Sequence, residues 1–503
     1  MPATGATMAI MPSDVRLRSG AVPVTAVAAA TAGVLLLCAS RYGYHRDELY
    51  FRICAQHLAW GYVDQPPVVP ALARAGIALF GDSVVGLRVI PALIAAGTIL
   101  GVALLARELS CGPPARVLAA AATAVSALVL QSGHLLSTTT FDVFLWTVIA
   151  VVAARILRGG GPPWFVALGA VVGVALLTKF TVALLVLALG AAVLVVGPRR
   201  VLRTRWLGIG AATALAVAAP TLVWQVTHGL PMLSVASGIG GADGLSNRLL
   251  FVPMQVLVIG PTLAPICVAG FLRLVRDPGM RHAAALGIAY PVAAATLIML
   301  GGKFYYAFGL LLVLVAAGAQ PTVDWMRTRA RAAAAVTAIV LAGATAIPLM
   351  LPVLPARLAG VTSVVNPDQG EQIGWPDLVA TVDGVWEGIP TADRPTATIL
   401  TANYGEAGAV DRFGPALDLP QAYSGHMSLA DRGPPPDPHR GPVLLVTGRD
   451  THGLTDRLRH CRSAARITNA AGVDNTEHDG TVWICDPPAA PWSAVWSRFR
   501  RTS

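Results

Sequence analysis

The sequence predicts a mainly α protein: a polytopic transmembrane helical bundle of about 11 spans with a C-terminal extracytoplasmic α/β domain. Three observations carry this. First, 55% of the 503 residues are hydrophobic and 13% charged, with mean hydropathy +0.63. Soluble domains hold about 25% charged residues, so a wholly soluble enzyme is excluded, as is a disordered chain. Second, ten of the 27 Asp and Glu residues lie before residue 353 and 17 after it. That step separates a membrane domain, 1–352, from a polar domain, 353–503, of ordinary domain size. Third, a bilayer core needs roughly 20 apolar residues per helix. Runs that meet this or nearly so lie near 21–40, 83–106, 115–133, 138–157, 162–178, 180–197, 206–226, 250–272, 283–301, 304–320 and 332–352.

Taken in order, the runs fix an orientation. With the N-terminus cytoplasmic, the inner loops hold 16 arginines, from Arg16 to Arg331, while the outer loops hold few basic residues. The positive-inside rule then places the chain as a multi-pass protein of the inner (plasma) membrane. An odd number of spans puts the C-terminal domain outside. The net charge of +10 therefore reads as topology signal and lipid contact, not as a nucleic-acid surface. The first run is too long, and lacks the small-residue site, for a cleaved signal peptide. Two outer loops are longer than turns: 41–82, and 227–249, which its glycines mark as mobile. In the polar domain, 396–401, 443–446 and 481–485 read as strands, and 406–413 and 451–461 as helices. Cys461 and Cys485 fall in this domain and can pair if it is extracytoplasmic.

The first outer loop is the most informative stretch. It holds four of the ten acidic residues of the membrane part: Asp47, Glu48, Asp64 and Asp82. Leu49, Tyr50, Ile53, Cys54, His57 and Leu58 recur at helical spacing, which predicts an amphipathic helix on the membrane surface, with a second over 67–80. Asp47 reads either as a helix cap or as a general base. Side chains adjacent on a helix diverge by about 100°, so Asp47 and Glu48 do not serve one atom together; one is the base and the other a supporting or metal-binding group. The chain's two lysines, Lys179 and Lys303, both end apolar runs on the outer side. Either alone reads as a snorkelling cation; together, beside an acidic loop, they suit a phosphate. Asp142 opens the fourth span as a cap or a functional carboxylate, with His134 as its candidate partner. No metal-ligand spacing, phosphate-cradling loop or nucleophile elbow is present, and His57, His134 and His228 are too scattered for a metal site.

The Asp47–Glu48 pair followed by His57-Leu58-Ala59-Trp60-Gly61-Tyr62-Val63-Asp64-Gln65-Pro66-Pro67 resembles bacterial members of glycosyltransferase family 39. That family includes protein O-mannosyltransferases and aminoarabinose transferases. Lys179-Phe180-Thr181, Lys303-Phe304-Tyr305-Tyr306, Asn403-Tyr404-Gly405-Glu406-Ala407 and Ser424-Gly425-His426 also look like family features. The resemblance implies the GT-C architecture, a polyprenyl-phosphate sugar donor, inversion, and Asp47 as base. Donor phosphate falls to Lys179, Lys303 and Arg46. His57, Tyr62, Asp64, Asp142, Tyr305 and Tyr306 are the remaining candidate substrate contacts. The chain departs from the pattern at Gln65, where relatives commonly carry a basic residue that helps bind phosphate.

A phosphate leaving group needs no general acid, only one base for the acceptor proton, whereas a glycosidase needs two carboxylates astride the bond. The expected function is therefore transfer of a sugar from polyprenyl phosphate to an extracytoplasmic protein, lipid or wall glycan. No cofactor is called for, and a divalent metal is left open. A transporter or lipid flippase is the alternative, disfavoured because the spans carry almost no internal charge. A wall-associated scaffold is the third reading.

Overall fold

The computed structural model describes residues 13–242 and 244–502. All eleven apolar runs are helical. Among the described residues, seven helices are long and apolar enough to cross a membrane: Ala21–Cys38, Val84–Glu108, Thr138–Leu157, Arg205–Thr227, Pro278–Leu300, Phe304–Trp325 and Arg329–Met350. Two further runs are broken. Pro113–Ala124 meets Ala127–His134 at 60°, and Gly244–Ile259 meets Pro261–Arg276 at 83°. The second break falls at Gly260, whose φ of +105° only glycine adopts freely, followed by a proline that cannot continue the ladder. The expected count of about 11 is thus seven, or nine if each bent pair is one span. The remaining two runs, Pro162–Leu176 and Val182–Val196, are 15 residues each, about 22 Å of helix, short of a full hydrocarbon core.

The centre of the bundle is the helix Phe308–Trp325, buried without interruption from Phe308 to Ala319. It crosses Ala264–Arg276 backbone to backbone. A Cβ on Gly270 would lie 1.9 Å from the Leu314 carbonyl oxygen, and one on Gly318 would lie 1.9 Å from that of Ile266. Small residues replace the hydrophobic effect as the source of helix association where the solvent is itself apolar.

The first outer loop forms two helices, Arg46–Gln56 and Val68–Phe80. The first does not lie on the surface as an amphipathic helix. Glu48 through Ala55 are all buried, because the helix is clasped between Val68–Phe80 and the helix Tyr404–Phe413 of the C-terminal region. Gly408 permits that approach: a Cβ there would meet Leu49 Cβ at 2.6 Å. Only its C-terminal end, at Gln56, and the residues that follow it, His57 and Leu58, are exposed. The stretch 227–249, expected as a mobile loop, is also helical, as Pro231–Ala242 and the start of Gly244–Ile259. Glycine is commoner in membrane helices than in soluble ones, and here it did not signal a loop.

The C-terminal region builds a five-stranded sheet: β1 Thr398–Thr401, β2 Ala422–Ser424, β3 Val443–Thr447, β4 Arg459–Arg466 and β5 Thr481–Asp486, in the order β2-β1-β3-β5-β4. β1 is parallel to β2 and β3, while β5 runs antiparallel to β3 and β4. β1 and β3 are buried on both faces, as their unbroken apolar runs require. The predicted helix 451–461 is instead a short 3-10 turn, Thr455–Arg457, leading into β4. β4 is a largely exposed, arginine-rich edge strand, so it shows no apolar alternation to betray it. A disulfide joins Cys461 on β4 to Cys485 on β5. The helix Trp375–Glu387 covers the sheet and carries its own buried apolar stripe.

Candidate functional site

Asp47 sits in the first turn of Arg46–Gln56, but it is not the cap. The His45 ring fills that role: its Nδ1 accepts from Asp47 N at 3.2 Å, and Glu48 Oε2 reaches back to His45 N at 2.9 Å. The Asp47 carboxylate is thereby left for another partner. The Tyr404 hydroxyl donates to its Oδ1 at 2.8 Å, and Arg46 Nε lies 3.9 Å away. Tyr404 is itself fixed on both sides, stacked on His426 at 4.9 Å and 7°, and packed against Tyr50 at 4.7 Å. Tyr50 in turn donates to Asp64 Oδ1 at 2.6 Å. Burial raises the Asp64 carboxyl to about 6, against the opposing pull of the Tyr50 hydroxyl.

Glu48 has a different fate. It is wholly buried and paired with Arg88, at 2.9 Å from Nε to Oε1 and 2.7 Å from Nη2 to Oε2, and it accepts from Leu136 N at 3.1 Å. Arg88, 1% exposed, spends its other bonds on the carbonyls of Ala39 and Gly43 and on Gln372. This is a buried pin joining the first loop, the second span and the C-terminal region. Glu48 thus takes the supporting place that the sequence left open for one of the pair.

Two cavities meet around these residues. One, of about 440 Å³, is lined by Arg46, Asp47, Lys303 and Tyr305 among others. The other, of about 810 Å³, is lined by Asp64, Gln65, Lys179, Tyr305 and Tyr306 and continues along apolar side chains such as Leu184, Leu222 and Leu297. Tyr305 is common to both. Lys179 Nζ stands over the rings of Tyr306 at 4.7 Å and Tyr305 at 5.2 Å, and donates to Thr139 Oγ1 at 3.3 Å. Among the described residues neither lysine forms an ion pair with a carboxylate. Lys179, held on two aromatic faces with no carboxylate at ion-pair distance, is suited to an anionic ligand.

Residues 64–224 match the family model described as dolichyl-phosphate-mannose-protein mannosyltransferase. The fold matches ArnT from Cupriavidus metallidurans in the apo state, with TM-score 0.58, 15% identity, 93% of this chain and 98% of that one. It matches the same enzyme bound to undecaprenyl phosphate with TM-score 0.57, 16% identity, 92% of this chain and 97% of that one. The chain thus shares the fold of these structures, and one stretch of it is similar to the mannosyltransferase family. No curated protein sequence matches it.

Within this fold the sequence-derived candidates divide. Asp47, Arg46, Lys303, Tyr305, Asp64, Lys179 and Tyr306 line the paired cavities. His57 and Tyr62 do not; they line a separate cavity of about 340 Å³. The Tyr62 hydroxyl closes its own loop, bonding Ala59 N, Cys54 O and His57 O at 3.0–3.3 Å. Asp142 is no cap, since Ser137 caps its helix. It is buried and accepts from Thr181 Oγ1 at 3.0 Å, while its expected partner His134 lies against Arg88 and Gln372. Among the described residues no three His, Cys, Asp or Glu side chains are placed to hold a metal ion.

Sequence reasoning missed the role of Tyr404, although its motif stood out; nothing in the chain order links it to Asp47, 357 residues away. It noted Gln65 as a departure but not its state. Gln65 is 2% exposed, with neither amide atom partnered, in the wall of the larger cavity.

Proposed function

We propose that the protein is a membrane glycosyltransferase of the GT-C type, and that it transfers a sugar from a polyprenyl phosphate to a hydroxyl acceptor with inversion on the extracytoplasmic side. The carrying observation is Asp47: its carboxylate is steadied by one tyrosine hydroxyl and lines the smaller cavity together with Lys303 and Tyr305, and Tyr305 also lines the larger cavity that holds Lys179. The larger cavity suits the donor, because its polar end carries Lys179 and its remainder is apolar.

In the reaction the acceptor oxygen attacks C1 of the donor sugar as the C1–O bond to phosphate breaks. The acceptor proton passes to Asp47, and the electron pair leaves with the phosphate. Lys179, Lys303 and Arg46 stabilise the charge that develops there. Base catalysis of this kind contributes typically 10²–10⁴-fold. Tyr404 acts on Asp47 as a positioning residue.

The test offers purified protein in lipid a panel of radiolabelled polyprenyl-phosphate sugars with a crude envelope fraction as acceptor. Label moving from one donor to the fraction supports the reading and names the sugar. A folded sample that turns over no donor sinks it and returns the transporter.

A further inference from the structure

Beyond residue 353, five large apolar side chains are exposed among the described residues, and four of them fall together: Leu358, Val361, Val364 and Val365, with Leu417 the fifth. Val361 is 72% exposed and Val364 85%. The stretch that holds them is helical, a 3-10 turn over Ala356–Leu358 running into Ala359–Ser363. Residues three apart on a helix share a side. Leu358, Val361 and Val364 are outward, while Ala359 and Thr362 are buried. Large apolar groups thus point away from the protein and small or polar ones toward it, the reverse of a helix on a water-facing surface. Gathered in one place rather than scattered, such side chains mark a surface that something covers.

Hydrogen bonds fix the height of this segment. The span Arg329–Met350 ends shortly before it, and the chain then folds back on that end. Just after the segment, Asn366 Nδ2 donates to the Leu349 carbonyl at 3.1 Å, and Gln369 Nε2 donates to that of Leu351 at 3.1 Å. Thr362, on the inward side, donates its hydroxyl to Gln369 Oε1 at 3.0 Å. Just before the segment, the Val353 carbonyl accepts from Arg41 Nη1 at 3.2 Å, and Arg41 directly follows the first span, Ala21–Cys38. The segment is therefore tied to the ends of two spans, where hydrocarbon gives way to headgroups. On the last span itself Val336 and Val340 are exposed, as side chains that meet acyl chains are. The segment carries that kind of surface past the end of the span. Arg357 is exposed beside it, a cation suited to headgroup phosphates.

We infer that residues 356–365 lie in the membrane surface, with Leu358, Val361, Val364 and Val365 among the acyl chains of the leaflet on the C-terminal region's side and Arg357 at its headgroups. This docking rests on the reading of the spans as membrane helices, and adds a lipid contact made by the C-terminal region itself. It bears on the candidate site, because Val365, Asn366 and Asp368 line the smaller cavity with Asp47. The docked segment holds that stretch of the lining at the bilayer surface.

The four free cysteines are buried, so a cysteine placed on the segment takes a label selectively. Val361→Cys and Val364→Cys carry bimane in the full-length protein, in nanodiscs of phosphatidylcholine and phosphatidylglycerol whose acyl chains are plain or brominated near the headgroup. Val340→Cys, on the last span, sets the full effect. Emission at Val361 and Val364 should fall about twofold in brominated lipid, as it does at Val340. Val361→Asp combined with Val364→Asp should expel the segment and speed amide exchange over 356–365 about tenfold, in a sample that stays folded because both positions are exposed. Quenching at Val340 without quenching at Val361 or Val364 overturns the docking and leaves the membrane reading intact. Quenching at none of the three sinks the membrane reading with it. Labels shielded from water yet unquenched, in a sample of dimer mass by native mass spectrometry, would give the face to a second copy of the chain and overturn the lipid assignment.

Discussion

Two cavities of similar size show what makes a site in this molecule. One, of about 580 Å³, lies among the helices Thr138–Leu157, Pro162–Leu176, Val182–Val196 and Arg205–Thr227, and every residue in its wall is apolar or glycine. The other, of about 440 Å³, lies where the bundle meets the C-terminal region and draws Asp47, Gln131, Lys303 and Asp368 from four separate stretches of chain. The first has shape but nothing to orient a ligand or carry a proton. The second has both. Membrane helices alone supply hydrocarbon; chemistry enters only where the first loop and the C-terminal region bring polar groups against them.

The comparison can be broken most severely at the pin between those parts. Glu48→Gln leaves Arg88 buried without its counter-charge, a loss of about 3–5 kcal/mol. The expected result is a sample that is not monodisperse by size exclusion, with partial recovery when Arg88→Met is added. Milder, and confined to chemistry, is Tyr404→Phe. It removes one hydrogen bond to a charged carboxylate, about 1.5–3 kcal/mol, so the transfer rate should fall roughly 10- to 100-fold. The melting temperature should hold, because the ring keeps its contacts with His426 and Tyr50. Lys179→Met should raise the donor KM about tenfold, the worth of one well-placed charge near 1.4 kcal/mol, with acceptor KM little changed.

A smaller effect is expected from pH. Asp64 has its pKa raised in the folded protein to about 6, above the ordinary carboxylate value of 3.8. Between those values the folded state binds more protons than the unfolded, so stability falls as pH rises through that window. Thermal melts at pH 4 and pH 6 should show this decline, and Asp64→Asn should flatten it. Least of all, Leu189→Phe in the apolar cavity should leave transfer within about twofold, since cavity space there can take the added volume. A large loss would mean that the bundle interior takes part in the reaction.

Much of the membrane part was legible because burial in lipid leaves a plain signature of apolar runs and segregated arginines. The breaks were less so. Gly260-Pro261 is a turn signal that hydropathy overran, and the bend at Ser126 carries no comparable mark. At the site, Asp47, Lys179 and Lys303 stood out as charges in an apolar setting. Gln131 and Asp368 did not, because polar side chains are ordinary in a polar domain or at a helix end; Tyr404 lay in a motif that did, yet only the fold brings it to Asp47. Glu48 was indistinguishable from Asp47 in sequence. The helix turn between them sends one to the cavity and the other into Arg88.

The central claim is that Asp47 takes the acceptor proton in the cavity it lines with Lys303 and Tyr305. It is tested most directly by single-turnover transfer from labelled donor in wild type and Asp47→Asn, with donor binding measured on the same samples. The account predicts equal donor binding and a transfer rate at least about 100-fold lower in the variant. Transfer by Asp47→Asn within a few-fold of wild type would contradict it.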